Sequence, residues 1–241
     1  MNERYFSQVG QDKFLNEVIF YNKRTGFFID IGAHDGISYS NTLFFERFKD
    51  WDGFCFEPNL NVFNKLVKNR RSKNYNVCIG NTNRKVSFTR IEGYSEMLSG
   101  VTESYHEKHL DRINNSILIK GGRKEEIEID MVRLDSFKEL VSRQIDFISI
   151  DTEGNEFDII ESINFDEFKI NTIVVENNYK DSRIAGFLEP LGFKLFHCLG
   201  PDEVFVNKGS INLAMKIRLM HWKLIGYFNL IDSKIRTRLC K

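Results

Sequence analysis

Short apolar runs that end on an acid or a glycine recur along this chain, separated by stretches with helical spacing. GFFIDIG (26–32), GFCFEP (53–58), YNVCIG (75–80), DFISID (146–151) and NTIVVEN (171–177) are such runs. Each is too short for a buried helix and reads as a strand covered on both faces. Between them lie SNTLFFERF (40–48), LNVFNKLVKNR (60–70) and FDIIESI (157–163), with another helix near 181–189. In the second of these, Leu60, Phe63, Leu66 and Val67 fall on one helical face. Strand–helix–strand repeats predict an α/β fold with a mostly parallel sheet and helices on both faces. KLFHCLG (194–200) and EVFVNK (203–208), joined through Gly200-Pro201-Asp202, predict a closing hairpin and an antiparallel component. KVSFTRI (85–91) alternates like an antiparallel strand, and IEIDMVRL (127–134) is another extended run. Residues 92–126 are polar and resist assignment. They stand where an α/β enzyme carries a substrate-covering insertion.

Charge divides the chain in two. The 241 residues carry 34 basic and 34 acidic side chains, so the whole is neutral. Residues 209–241 nevertheless hold seven basic residues against the single acid Asp232, a charge of +6, and residues 1–208 are −6. The break at NKGS (207–210) predicts a body over 1–208 and a basic amphipathic helical tail over 209–241. Zero net charge argues against a nucleic-acid partner for the whole molecule. With 22 Phe among them, the residues are those of a packed globular chain. Cys55, Cys78, Cys198 and Cys240 form no C-x-x-C pair and read as buried free thiols, which fits a reducing compartment. No secretory signal opens the sequence and no stretch is apolar enough to span a bilayer, so the expected location is cytoplasmic.

Two acidic motifs carry the chemistry. FIDIGAHDG (28–36) puts Asp30 at a strand's carboxyl end, followed by Gly32, Ala33, His34, Asp35 and Gly36. In open α/β sheets, ligands sit at that end. Glu57 ends the next strand, where a carboxylate can accept both hydroxyls of a ribose. A dinucleotide site wants G-x-G-x-x-G, because pyrophosphate lies against bare backbone at a helix N-terminus. Here His34 occupies the second glycine's place, and Asp35 puts negative charge where phosphate would lie. S-adenosylmethionine (SAM) has no phosphate and carries a sulfonium and an ammonium, so it suits these acids better. The second motif, DFISIDTEGNE (146–156), crowds Asp151, Glu153 and Glu156 at a strand end, and Glu176 ends the neighbouring strand. Such crowding is costly unless the acids face water, a cation or a proton-sharing substrate. For Glu156, an acid at a helix N-terminus is an equal alternative.

With these residues in view, the chain resembles the FkbM-type family of SAM-dependent methyltransferases over about residues 5–207. SQVGQDKF (7–14), GFFIDIGAHDGISYSNT (26–42), GFCFEPN (53–59), NVCIGN (76–81), VRLDSF (132–137) and DFISIDTEGNEFDII (146–160) carry the resemblance. It implies a class I methyltransferase (Rossmann-like) fold: seven strands, mostly parallel, the final one antiparallel. It implies O-methylation of a sugar or natural-product hydroxyl. It places Asp30, Gly32, Ala33, Asp35 and Gly36 along the methionine part of SAM, with His34 in the same loop. Glu57, beside Pro58, would hold the ribose. Gly80 and Asn81 would border the adenine, and Ser40-Asn41 would bind the methionine carboxylate. Gln8 and Gln11 would cap the cofactor or touch the acceptor.

Methyl transfer to oxygen needs alignment, exclusion of water and a base for the hydroxyl. Asp151 or Glu153 is the expected base, with Glu176 in reserve. Alternatively, these three ligate a divalent metal that acidifies the hydroxyl. His106 and His109, three apart, read as a solvated helical face and His197 as a core residue; His34 reads as part of the cofactor loop, with orientation of the acceptor as the lesser alternative. In the tail, Leu213, Ile217, Met220, Leu224, Phe228 and Ile231 form a helical apolar stripe. It fits either packing or a homodimer contact, or peripheral seating on anionic lipid; the last would suit a lipid-linked glycan acceptor. The alternatives to a methyltransferase are a binding module that keeps the fold and a nicotinamide-dependent oxidoreductase.

Overall fold

The computed structural model describes residues 3–141 and 143–239, with side chains to residue 227 in the last helix. The chain opens with α1 (Gln11–Phe14), which runs into a π-helical turn at Leu15–Ile19. Then come β1 (Phe27–Ile31), α2 (Leu43–Phe48), β2 (Asp52–Phe56), α3 (Leu60–Asn69) and β3 (Lys73–Tyr75). A second group follows: β4 (Cys78–Ile79), β5 (Arg84–Glu92), β6 (Gly100–Val101), α4 (Glu107–Lys120) and β7 (Arg123–Val132). The chain then returns with β8 (Gln144–Ile150), α5 (Glu156–Ser162), β9 (Lys169–Glu176), α6 (Ser182–Leu188), β10 (Phe193–Leu199), β11 (Asp202–Asn207) and α7 (Leu213–Leu239).

The main sheet has seven strands in the order β10-β11-β9-β8-β1-β2-β3. Only β11 runs against its neighbours, being antiparallel to both β9 and β10. This is the class I methyltransferase order, with the last strand inserted beside its predecessor. Strand alternation sorts the core onto two faces. Phe27, Ile29 and Ile31 join the cluster under α5 and α6, whereas Phe28 and Phe147 join Phe14, Phe44, Phe45 and Trp51 on the other face.

The second group forms a four-stranded sheet, β4-β7-β5-β6, in which β5 and β7 take up the extended runs expected at 85–91 and 127–134, while β6 comes from the unassigned polar stretch. It also divides the expected third strand. Only Lys73–Tyr75 pairs with β2, and Cys78–Ile79 crosses to pair with β7. In α3 the buried face is Val62 and Leu66, while Leu60 and Val67 are exposed, because Asn59 caps the helix and fixes its rotation. Cys55 and Cys78 are buried free thiols as expected. Cys198 is exposed, because β10 is the sheet's edge strand. Cys240 lies outside the described residues. The first turns of α7 belong to the body, with Met215 buried in the same cluster as Phe14 and Phe28.

Candidate active site

β1 lies between β8 and β2, so the chain reverses its direction of travel across the sheet at the β1–β8 seam. Ligands of α/β folds sit outside the carboxyl ends at such a point. The seam is closed there by Asp151 N–H donating to the Ile31 carbonyl at 3.0 Å. Gly32 follows with φ 85°, and a Cβ on it would stand 1.8 Å from the Asp151 carbonyl oxygen. Only glycine fits, and the bare backbone becomes part of a cradle. Gly32 and Ala33 N–H groups both donate to the Phe56 carbonyl, which ties the turn to the end of β2.

Two hollows open at this edge. The first is bounded by Gly32 and His34 on one side and Glu57, Pro58 and Asn59 on the next. Its apolar wall is Phe56, Val62, Val77, Cys78, Ile79 and Phe88, and Asp151, Thr152 and Glu153 close it. Four carboxylates, with Glu96, line this hollow, and neither lysine nor arginine does. A pyrophosphate has no counter-charge here, whereas a nucleoside with a cationic tail has an apolar slot and several acids. Glu57 is buried and accepts from His34 N–H at 3.0 Å and Asn59 N–H at 2.7 Å. Burial pushes its carboxyl up to about 7 against those two hydrogen bonds. His34 has a left-handed backbone, φ 49°. Burial works against its charge, yet Asp35, Glu57 and Glu96 hold the imidazole above its ordinary value.

The second hollow lies on the far side of Glu153. Its walls are Tyr105, His106, Phe157, Asn177, Asn178 and Tyr179, and Glu176 is on its floor. His106 and Tyr179 stack, ring centroids 4.6 Å apart. Glu153 lines both hollows. Its backbone is left-handed, φ 60°, a strained setting for a residue with a side chain. The strain is held by Glu156, whose Oε1 accepts from Thr152 N–H, Thr152 Oγ1 and Gly154 N–H. Asp151, Glu153 and Glu176 each offer one oxygen within 4.8 Å of the others. Asp151 is surrounded by protein but still reached by water. This enclosure, then the charges of Glu176 and Glu153, raise its carboxyl well above the usual range. Burial and then the charge of Glu176 raise Glu153, burial and then the charges of Glu156 and Asp202 raise Glu176, and Arg112, 3.5 Å from Glu153, pulls both the other way.

The structure thus brings together Gly32, His34, Glu57, Pro58, Asp151 and Glu153 at the first hollow, with Glu176 adjoining. Other expected site residues lie elsewhere. Asp30 alternates with Ile29 and Ile31 and therefore points beneath α2. It accepts from Thr42 Oγ1 at 2.5 Å and lies 3.7 Å from Arg70. Asp35 is spent on its own turn, accepting from Ile37 and Ser38 N–H. Gly36 makes room for Arg70 and Leu66, and Ala33 packs in the core. Ser40 Oγ accepts from Leu43 N–H at the start of α2, and Asn41 donates to Ser149, both beneath the sheet face. Gly80 packs on Met131 and Asn81 binds Arg133, so Val77–Ile79 form the wall instead. Gln8 stands exposed outside both hollows. Gln11 binds Asp202, the register partner of Glu176.

His109 is buried rather than solvated. It stacks on Tyr105, its Nε2 meets the Leu98 carbonyl at 3.2 Å, and its Nδ1 lies 3.4 Å from Glu153. Glu96, Met97 and Ser99–Val101 also join the site from the polar stretch. Their only sequence signal was the position of that stretch between two strands.

The α/β fold thus carries, at its switch point, a hollow with an apolar wall and several acids. Residues 30–195 match the family model described as the methyltransferase FkbM domain, and the chain belongs to that family. No curated protein matches the chain. Among solved structures, the METTL16 MTase domain is 15% identical with a TM-score of 0.42, over 80% of this chain and 64% of that one. A human methyltransferase 10 domain containing protein is 14% identical with a TM-score of 0.42, over 86% and 85%. M. capricolum TrmK, solved with S-adenosyl-homocysteine, is 11% identical with a TM-score of 0.39, over 80% and 67%. The chain therefore spans less than two thirds of the first of these, and likenesses so distant carry nothing about substrate.

Proposed function

We propose that this chain is a SAM-dependent O-methyltransferase acting on a hydroxyl of a sugar or glycan. The observation that carries the proposal is the position of Glu153, on the wall shared by the two hollows. SAM fits the first hollow: Glu57 meets the ribose, the apolar wall takes the adenine, and Gly32 leaves backbone open beside the tail. When bound, SAM supplies an electrophilic methyl on a sulfonium that departs as a neutral thioether. The second hollow takes the acceptor. His106 and Tyr179 offer flat faces to the C–H side of a pyranose, and Asn177 and Asn178 offer amides to its hydroxyls.

Glu153 faces the acceptor oxygen from the shared wall, with Asp151 beside it on the side of the first hollow, and a carboxylate of this pair takes the hydroxyl proton as the O–C bond forms and the C–S bond breaks. Enclosure and mutual repulsion raise these carboxyls, which brings a carboxylate closer to a useful base strength. The triad's spacing also supports a second reading, a divalent cation held by Asp151, Glu153 and Glu176 that lowers the hydroxyl's pKa.

A methyl-donor assay against sugars and lipid-linked glycans, read by mass, tests the activity. Asp151→Asn and Glu153→Gln are expected to bind SAM in calorimetry while turnover falls about a hundredfold or more. Near-normal turnover in both variants rejects the base assignment. Full activity in chelator rejects the metal reading. Absence of SAM binding in the parent protein leaves a binding module that keeps the fold.

A further inference from the structure

α7 carries two apolar stripes on opposite sides. Met215, Leu219 and Trp222 recur at spacings of four and three and pack into the body. Trp222 stands edge-on to Phe14 at 5.2 Å, and Arg218 Nε donates to the Val18 carbonyl at 2.8 Å. Leu213, Ile217, Met220 and Leu224 recur at spacings of four, three and four. At 100° per residue they lie nearly opposite the packed stripe. They are 73%, 43%, 54% and 46% exposed. This outer stripe is the one the sequence displayed; its members Phe228 and Ile231 have side chains outside the described residues. Lys216 and Lys223 border it, lining a shallow groove with Leu219, Met220 and Leu224.

The helix has a direction. Arg218 meets Val18 and Trp222 meets Phe14, so α7 rises as the segment 11–20 descends. Gln11, at the top of that segment, binds Asp202 beside Glu176. α7 therefore climbs towards the edge of the sheet that holds both hollows.

We infer that the outer face of α7 seats the protein on an anionic lipid surface. The stripe is an apolar face bordered along one flank by Lys216 and Lys223, whose stems lie along hydrocarbon while the ammonium groups reach headgroups. The whole segment 209–241 is +6. That charge attracts anionic lipid and opposes a second copy of the same helix, which carries the same charge. A nucleic acid would satisfy the lysines but leave Leu213, Ile217, Met220 and Leu224 in water. Seated this way, the helix lies along the membrane and runs towards the edge with the hollows, a geometry suited to an acceptor carried on lipid. Among the described residues no helix is long and apolar enough to cross a membrane, so the contact is lateral.

Co-sedimentation of the full chain with vesicles tests this, using phosphatidylcholine alone and phosphatidylcholine mixed with phosphatidylglycerol. Binding is expected to the mixed vesicles, weakening at high salt. The exposed double variant Ile217→Glu/Leu224→Glu, and separately Lys216→Glu/Lys223→Glu, are expected to bind at least about tenfold more weakly. Unchanged circular dichroism and SAM titration show that these variants still fold. No sedimentation with mixed vesicles, equal binding to neutral vesicles, or undiminished binding by the first variant overturns the inference. So does a parent dimer, or an RNA complex, that this variant abolishes while vesicle binding stays absent.

Discussion

Gly32 is the residue on which the site's shape turns. Its positive φ and the 1.8 Å approach of the Asp151 carbonyl are separate demands. Gly10 shares only the first, with φ +89° and nothing within 4 Å of where a Cβ would stand. The two glycines therefore allow backbone strain and steric exclusion to be measured apart. Gly10→Ala is expected to cost about 1 kcal/mol in urea denaturation, the price of a left-handed alanine. Gly32→Ala adds a collision that only opening of the β1–β8 seam relieves. It is expected to cost about 3 kcal/mol or more, and calorimetry should find SAM binding lost. Equal losses in the two variants, or intact SAM binding in the second, show that the seam does not form the cradle.

At the scale of elements, α2 and α3 are held to β1 by a buried ionic group. Arg70 Nε donates to Glu46 at 2.9 Å, its guanidinium stacks over Phe28, and Asp30 stands 3.7 Å away. Glu46 also accepts from Arg71 and Ser72 N–H. Burial raises the Asp30 carboxyl even against Arg70, so the arginine's charge is what makes two acids tolerable there. Arg70→Met keeps the volume and removes the charge. It is expected to destabilise by about 3–5 kcal/mol in urea denaturation, since Asp30 and Glu46 are left buried without a cation. A loss near zero means that water replaces the arginine and that the group does not clamp the helices. The same cluster shows what could be read beforehand. Strand–helix alternation and the closing hairpin were legible because each short apolar run carries its own burial pattern. Asp151, Glu153 and Glu57 were legible because they end strands. Asp30 was misplaced because its face depends on register against Phe28 and Ile29, and a five-residue strand buried on both faces displays no alternation in polarity. The two long strands of the second sheet were legible as extended runs, but their pairing into a sheet of their own was not, because β7, RKEEIEIDMV, keeps most of its residues half-buried or exposed. The burial of His109 depends on Tyr105 and Leu98, which no helical spacing reveals.

Across the whole molecule, negative charge gathers on one edge of the body. Glu57, Asp151, Glu153, Glu176 and Asp202 all have carboxyls raised by burial, and the last four also sit close to one another. The sign of the resulting pH dependence follows from where the proton binds. Glu57 holds its proton up to about 7 when folded, against an ordinary value of 4.5. Between those values the folded chain binds more protons than the unfolded one, so stability falls as pH rises through the window. The neighbouring acids act in the same direction, while Asp35 and Glu46, held low by their hydrogen bonds and by Arg70 for the latter, act at lower pH with opposite sign. In the proposed placement of SAM the cost is reversed, because its sulfonium and ammonium would favour ionised carboxylates and its ribose hydroxyls would donate to Glu57. The midpoint of thermal unfolding without ligand is therefore expected to be higher at about pH 5.5 than at about pH 7.5, values on either side of the about 7 to which the Glu57 carboxyl is raised. The stabilisation given by SAM is expected to run the other way and be larger at the higher pH. At a concentration of about 100 Kd, SAM contributes about 2.7 kcal/mol, or several degrees in the midpoint for a chain of this size. Glu57→Gln carries no titrating carboxyl at the ribose and is expected to flatten part of both slopes. If the unliganded midpoint climbs with pH, or SAM stabilises equally at both values, the acids of this edge do not act on the cofactor as charges.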